Sequence, residues 1–317
     1  MPEDAASARA VVADEPGGPD VLRVAAVPMP EPGIGEVLVR VHAASVNPVD
    51  VMQRQHGTFG GGRSIRIGYD VAGVVEEVGP GVTLFAPGDA VFGMLPFPHA
   101  AGAYATHVVA PTRALVRTPA SLSHAEAAAL PLAGLTAWQA LVDTARLERG
   151  QRVVVTGAAG GVGHLAVQIA HAIGAHVIGV ASATDAALVR SLGADEVLDY
   201  REQHYADVVR GADVVLDVQG GESAALGVAA VRPGGILVIT LPQQMATLAP
   251  IAEAAGVRAA ALFVEADQVG LAGMVELVES GLLRPIVAAT LPLAEAGRAQ
   301  SERFGPGKVV LLTSDEG

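Results

Sequence analysis

The stretch Arg152–Ser182, RVVVTGAAGGVGHLAVQIAHAIGAHVIGVAS, constrains this chain more than any other. Val153, Val154 and Val155 form a β-branched run without polar alternation, the pattern of a parallel strand covered on both faces. Gly157, Gly160, Gly161 and Gly163 then supply a turn. One glycine permits the tight bend, one lets backbone N–H groups approach an anion, and one lets the next helix pack on the strand. The helix expected from Val162 to Ile173 carries Leu165, Ala166, Ile169 and Ile173 at apolar spacing. It points its N-terminal amides and positive dipole end at the same spot, and a second strand follows at His176–Val180. This is the setting in which a dinucleotide diphosphate is bound, with Gly157, Ala158, Ala159, Gly160, Gly161, Val162 and Gly163 as its cradle. The spacing Gly-x-x-Gly-Gly-x-Gly departs from the usual fingerprint, so a glycine-rich turn that binds nothing is the alternative.

A carboxylate at the end of the second strand would bond the ribose hydroxyls of NAD. This chain has Ala181, Ser182, Ala183 and Thr184 there. Nothing in that run opposes a 2′-phosphate, so NADPH is the expected coenzyme, with Ser182 among its contacts. Helices and strands then alternate through Glu196–Leu198, Asp213–Val218, Gly235–Thr240 and Ala259–Val264, giving six strands of a doubly wound sheet. Ligands of such sheets sit at the carboxyl ends of the strands, which adds Gln219, Thr240 and Phe263 to the expected coenzyme contacts.

The chain before residue 123 reads differently. Short β-rich runs at Ala8–Val12, Leu22–Val27, Glu36–Ala44 and Asp70–Val78 are separated by Pro- and Gly-containing turns, the grammar of an antiparallel sheet or barrel. At Ser123, with Glu126 in capping-box spacing, the texture turns to alanine-rich helix. The expected division is a catalytic domain over 1–122, a nucleotide-binding domain over 123–264, and a return to the first domain over 265–317. Hydrophobic residues at 51% and charged residues at 17% suffice to fill two cores. A net charge of −13 opposes nucleic acid and anionic membrane surfaces, leaving a small-molecule substrate as the expected partner. The absence of cysteine excludes a disulfide framework, a thiolate zinc site and a thiol nucleophile. Met1–Ser7 contains Glu3 and Asp4 and no apolar core of signal-peptide length, and no later run spans a bilayer, so a cytoplasmic protein is expected.

Several longer motifs occur in order: Glu36–Val41 through Asn47-Pro-Val-Asp50, Gly68–Gly79, Gly88–Gly93, Leu135–Leu141, Ala158–Gly163, Leu192–Asp195 and Gly307–Leu311. Through them, and over nearly its whole length, the chain resembles a zinc-independent, quinone-oxidoreductase-like member of the medium-chain dehydrogenase/reductase superfamily. The resemblance implies an α/β protein: a GroES-like β-barrel catalytic domain built from both chain ends, an inserted doubly wound Rossmann-fold domain, and a cleft holding NADPH and substrate. It also implies a homodimer, and the Ala259–Val264 strand is a candidate edge for pairing.

The zinc-dependent branch places a cysteine near Asn47 and Gly-His-Glu where this chain has Gly68-Tyr69-Asp70, and the nine histidines show no paired ligand spacing. No metal is therefore expected. Hydride delivery to an already electron-poor carbon, in a quinone or an α,β-unsaturated carbonyl, becomes the expected reaction. Asn47 matches an asparagine lining the family's active site and would donate to the developing oxyanion, or it is a turn residue before Pro48. Tyr69 offers a phenolic donor, or is a packed aromatic. Thr136 resembles a threonine beside the nicotinamide, and Tyr200, followed by Arg201, matches a tyrosine near the 2′-phosphate. Lys308 either reaches the cleft or starts a strand. The chain departs from the family at Met52, where relatives often carry tyrosine or lysine, and at Asp185, where they often carry a lysine for the 2′-phosphate. Two other functions stay open: a nucleotide-binding sensor or structural protein with reduced catalysis, and a tailoring reductase acting on a biosynthetic intermediate.

Overall fold

The computed structural model describes residues 7–57, 65–99 and 102–313. The chain forms two compact units: 1–132 with 265–275 and 285–317, and Ala133–Val264 with Glu276–Arg284.

In the first unit the described strands are β1 (Ser7–Ala13), β2 (Arg23–Pro28), β3 (Glu36–Ser45), β4 (Ile65–Arg66), β5 (Asp70–Val78), β6 (Ala90–Met94), β7 (His107–Pro111) and β8 (Leu115–Arg117). Helix α1 (Pro48–His56) leaves the end of β3, with proline at its first position, where a missing N–H costs nothing. The short helix α2 (His124–Ala128) is closed by the Ser123–Glu126 capping box, and α3 (Pro131–Trp138) follows before a wide π turn over Gln139–Thr144. The expected domain start at residue 123 therefore differs from the observed division at Ala133. Helix α2 packs on β3 and β5, and the Leu132 N–H donates to Asp70 at 2.7 Å, so this segment groups with the first unit.

In the second unit β9 (Arg152–Thr156) leads through the glycine turn into helix α4 (Gly163–Ile173), followed by β10 (His176–Ala181), β11 (Glu196–Asp199), β12 (Ala212–Asp217), β13 (Val231–Ile239) and β14 (Arg258–Ala261). They form one parallel sheet in the order β11-β10-β9-β12-β13-β14. Val153, Val154 and Val155 of β9 are fully buried, as a central strand between two helical layers requires. The order reverses between β10–β11 and β12–β14, so β9 lies at the switch point where such sheets open a ligand crevice.

The chain then supplies β15 (Val287–Pro292) and β16 (Lys308–Leu312) to the first unit. Its strands form two sheets: β2-β1-β4, and β15-β16-β3-β5-β6-β8 with β7 pairing to β3. The strands of the expected first domain thus lie in two sheets among the described residues. One apolar core gathers Val37, Val39 and Val41 of β3 with Val75, Val91, Leu115 and Leu311. Strand β16 lies antiparallel to β3, Val310 opposite Ser45, which places Lys308 near the start of α1.

Candidate active site

In the second unit the turn after β9 is built around two glycines that no other residue replaces. Gly157 has φ +59°, and a Cβ on it would lie 2.2 Å from Gln219 Nε2. A Cβ on Gly163 would sit 2.1 Å from the Gly157 carbonyl oxygen, so α4 can start against the turn only because it begins with glycine. The Gly160 N–H closes back on the Gly157 carbonyl at 2.8 Å. The N–H groups of Gly161, Val162 and Gly163 donate to no backbone carbonyl among the described residues, which leaves a cluster of amides at the positive end of an eleven-residue helix. An anion satisfies them.

Beside this turn lies a cavity of about 460 Å³, lined by Gly157, Ala159, Gly160, Ser182, Tyr200 and Gln219 of the expected contacts. Ala158 is buried beneath it, its N–H donating to Val180 O at 3.0 Å. Gly161, Val162, Gly163, Thr136, Thr240 and Phe263 are not in its wall, and Phe263 is 61% exposed. Two further features shape this corner. Asp217 is buried and gathers the turn after β12 by accepting from Thr156 Oγ1 at 3.1 Å, from the Gly220 N–H at 2.6 Å and from Ser223 Oγ, which positions Gln219. The acids Asp185 and Glu222 also line the cavity, as does His204. Ser182 Oγ donates to Asp185 Oδ2 at 2.6 Å and lies 2.7 Å from Thr184 Oγ1. The end of β10 is therefore not free of carboxylate, contrary to the run Ala181–Thr184 on which the NADPH expectation rests. The short 3₁₀ turn Ala183–Asp185 folds the acid back onto Ser182.

The first unit holds a different polar cluster, completely enclosed. Asp50, Asp70, Lys308 and Asn47 are all buried. Asn47 precedes α1, and its backbone N–H donates to Asp50 Oδ2 at 2.8 Å. Its side-chain Nδ2 donates to Asp70 Oδ2 at 2.7 Å and lies 3.4 Å from Ser45 O, while its Oδ1 accepts from Lys308 Nζ. Lys308 Nζ also donates to Val46 O at 2.7 Å, and Tyr104 O–H donates to Asp50 Oδ2 at 2.9 Å. The side chain of Asn47 is thus fully engaged within the protein. Burial pushes the Asp50 carboxyl up to about 7, with the Asp70 charge adding to the rise; it also raises Asp70 and lowers Lys308.

Tyr69 is buried against Phe97, ring centroids 5.4 Å apart, and its hydroxyl has no hydrogen-bond partner among the described residues. Burial, and then the charge of Asp50, raise its pKa far above the ordinary phenol range, which keeps the O–H intact as a donor. Met52 on α1 is 46% exposed. The loops expected to line a substrate pocket, Gln55–Ser64 and Met94–Gly102, lie partly outside the described residues.

The donors around Asp70 do not suit zinc. An ammonium, Lys308, already sits among the two carboxylates and Asn47, and the chain has no thiol to offer. Among the described residues no group of three or more His, Cys, Asp or Glu can hold a metal ion. The glycine turn, by contrast, fits a nicotinamide dinucleotide: it combines a close approach of backbone, unpaired amides and an adjoining cavity.

A two-sheet unit joined to a six-stranded parallel sheet with such a turn defines a class of nucleotide-dependent oxidoreductase, and comparison with known proteins agrees. The family description "Alcohol dehydrogenase GroES-like domain" matches residues 33–120, and "Zinc-binding dehydrogenase" matches residues 192–311. The chain is 31% identical to the quinone oxidoreductase of Rattus norvegicus, over 96% of this chain and 97% of that one. It is 34% identical to a 2-haloacrylate reductase of Burkholderia, over 96% and 98%. A mycobacterial protein solved in complex with NADPH superposes with a TM-score of 0.83 at 31% identity, covering 96% of this chain and all of that one. The chain belongs to the medium-chain dehydrogenase/reductase superfamily, and it is an oxidoreductase with quinone oxidoreductases among its relatives.

Proposed function

We propose that this protein reduces a quinone or an α,β-unsaturated carbonyl with hydride from a nicotinamide dinucleotide, without zinc. The observation that carries the reading is the cluster of unpaired amides at Gly161, Val162 and Gly163 beside a cavity at the switch point of the parallel sheet. The electron-poor substrate class draws on the relatives named quinone oxidoreductase and 2-haloacrylate reductase.

When bound, the reduced coenzyme supplies the hydride. The chain supplies the rest. Gly157–Gly163 hold the diphosphate, and Gln219, fixed by the Asp217 turn, contacts the coenzyme from the next strand end. Hydride addition leaves negative charge on the carbonyl oxygen, and the O–H of Tyr69 is the donor we assign to it. Its raised pKa makes it a hydrogen-bond donor rather than the source of the proton. Asn47, whose amide is taken up by Asp70 and Lys308, holds the start of α1 in place. We assign Thr136, Thr240 and Phe263 to coenzyme contacts outside the cavity wall, and β14, at the sheet edge, to a homodimer contact in a cytoplasmic enzyme.

The test mixes purified protein with reduced coenzyme and a panel of quinones and enones while the loss of coenzyme absorbance is followed. Turnover of at least one class is expected. Nucleotide binding with no turnover on any panel member would instead favour a sensor role.

A further inference from the structure

We propose that this chain selects NAD(H) over NADP(H), and that Asp185 is the residue that makes the choice. The inference rests on the nucleotide-site reading above and names the coenzyme that reading leaves open.

The cavity beside the glycine turn begins where β10 ends, the place at which the adenosine ribose of a dinucleotide meets this fold. Its wall there is made by Ser182, Asp185 and Tyr200. Asp185 Oδ2 is held by Ser182 Oγ at 2.6 Å, and Oδ1 has no protein partner among the described residues. A carboxylate fixed on one oxygen and open on the other is an acceptor for hydroxyl donors. The vicinal 2′- and 3′-hydroxyls of an unphosphorylated ribose are such donors. A 2′-phosphate in the same place brings close to two negative charges against that carboxylate and has no proton to offer it.

The rest of the wall does not offset this repulsion. Among the described residues it contains no lysine or arginine, and it adds a second acid, Glu222, and an imidazole, His204. The nearest arginine in sequence, Arg201, lies with its guanidinium 5.4 Å from the centroid of the Tyr200 ring, and its backbone N–H is fixed by Asp199 at 2.9 Å. That side chain is the cation a phosphorylated coenzyme would have to recruit, which makes Arg201 the control position.

Isothermal calorimetry of the full chain with NADH and NADPH reads the preference directly and needs no substrate. The expected result is a Kd for NADH at least about tenfold below that for NADPH. Asp185→Asn should bring the two constants together, and Asp185→Lys should reverse their order. Arg201→Ala should leave NADH binding unchanged. Asp185 is only half-buried, so these variants keep the fold, and matching thermal midpoints check that. Equal or tighter binding of NADPH by the unaltered chain overturns the proposal, and an unchanged preference in Asp185→Asn overturns the assignment to Asp185. Failure of both nucleotides to bind the unaltered chain is a different result, which removes the nucleotide-site reading itself.

Discussion

The two polar centres of this protein use the same side chains to opposite ends. In the first unit Asp50 and Asp70 are sealed from water: Asp50 Oδ2 accepts from Asn47 and Tyr104, and the two Asp70 oxygens accept from Leu132 and Asn47, with the Lys308 charge close by. In the second unit Asp185 stands at a cavity wall, held by Ser182 and otherwise open. Burial commits a carboxylate to the fold, because leaving it without a partner there costs far more than at a wet surface. Partial exposure leaves it free for recognition. The same residue type is read as architecture in one unit and as specificity in the other, and only its surroundings tell the two apart.

Replacing the buried cation should break the comparison most severely. Lys308→Met leaves two buried carboxylates without their ammonium and should cost the first unit about 3–5 kcal/mol, seen as a shift of its transition in urea unfolding. An unshifted transition would show that the cluster is not what holds β16 and α1 together. In the second unit Gly163→Ala drives a methyl group to 2.1 Å from the Gly157 carbonyl and should lower affinity for either reduced coenzyme by about a hundredfold in calorimetry. Tyr69→Phe separates function from architecture within the first unit. Removing a buried hydroxyl that has no partner among the described residues should leave the thermal midpoint in place, while kcat falls by about tenfold to a hundredfold if the O–H meets the substrate oxygen.

The smallest effect is a slope. The Asp50 carboxyl keeps its proton in the folded protein up to about pH 7, whereas the unfolded chain releases it near the ordinary value of 3.8. Between those limits the folded state binds more protons, so this group's contribution to stability falls as pH rises from about 4 to 7 and is level beyond. Asp50→Asn should flatten that part of the profile of thermal midpoint against pH. Equal slopes in the two proteins would mean that Asp50 is ionised across this range.

The parallel sheet was legible because a strand covered on both faces leaves an unbroken apolar run, and β9, β10, β12 and β13 carry such runs, whereas the edge strands β11 and β14 are short and only partly buried. The glycine turn was legible because Gly157 takes a positive φ and backbone crowding admits no side chain at Gly163. The buried cluster was not. Lys308 meets Asn47 across 261 residues of chain, and no local pattern marks either as the partner of Asp50 and Asp70. Asp185 was visible as a departure at its own position. Its return to Ser182 was hidden because a single 3₁₀ turn, rather than any periodicity, brings it there. Residues 123–132 likewise group with the first unit through long-range packing of α2 on β3 and β5, which no local pattern marks.

The pairing of β16 with β3 imposes an order on the birth of the molecule. A ribosome releases Asn47, Asp50 and Asp70 early, and must then make the entire parallel sheet before residue 308 emerges. The second unit can close around its own nearest neighbours while translation continues, whereas the first waits with a widowed strand and two uncompensated acids. Nascent chains halted just short of residue 308 should therefore display a protease-resistant sheet beside a β3 segment still open to cleavage.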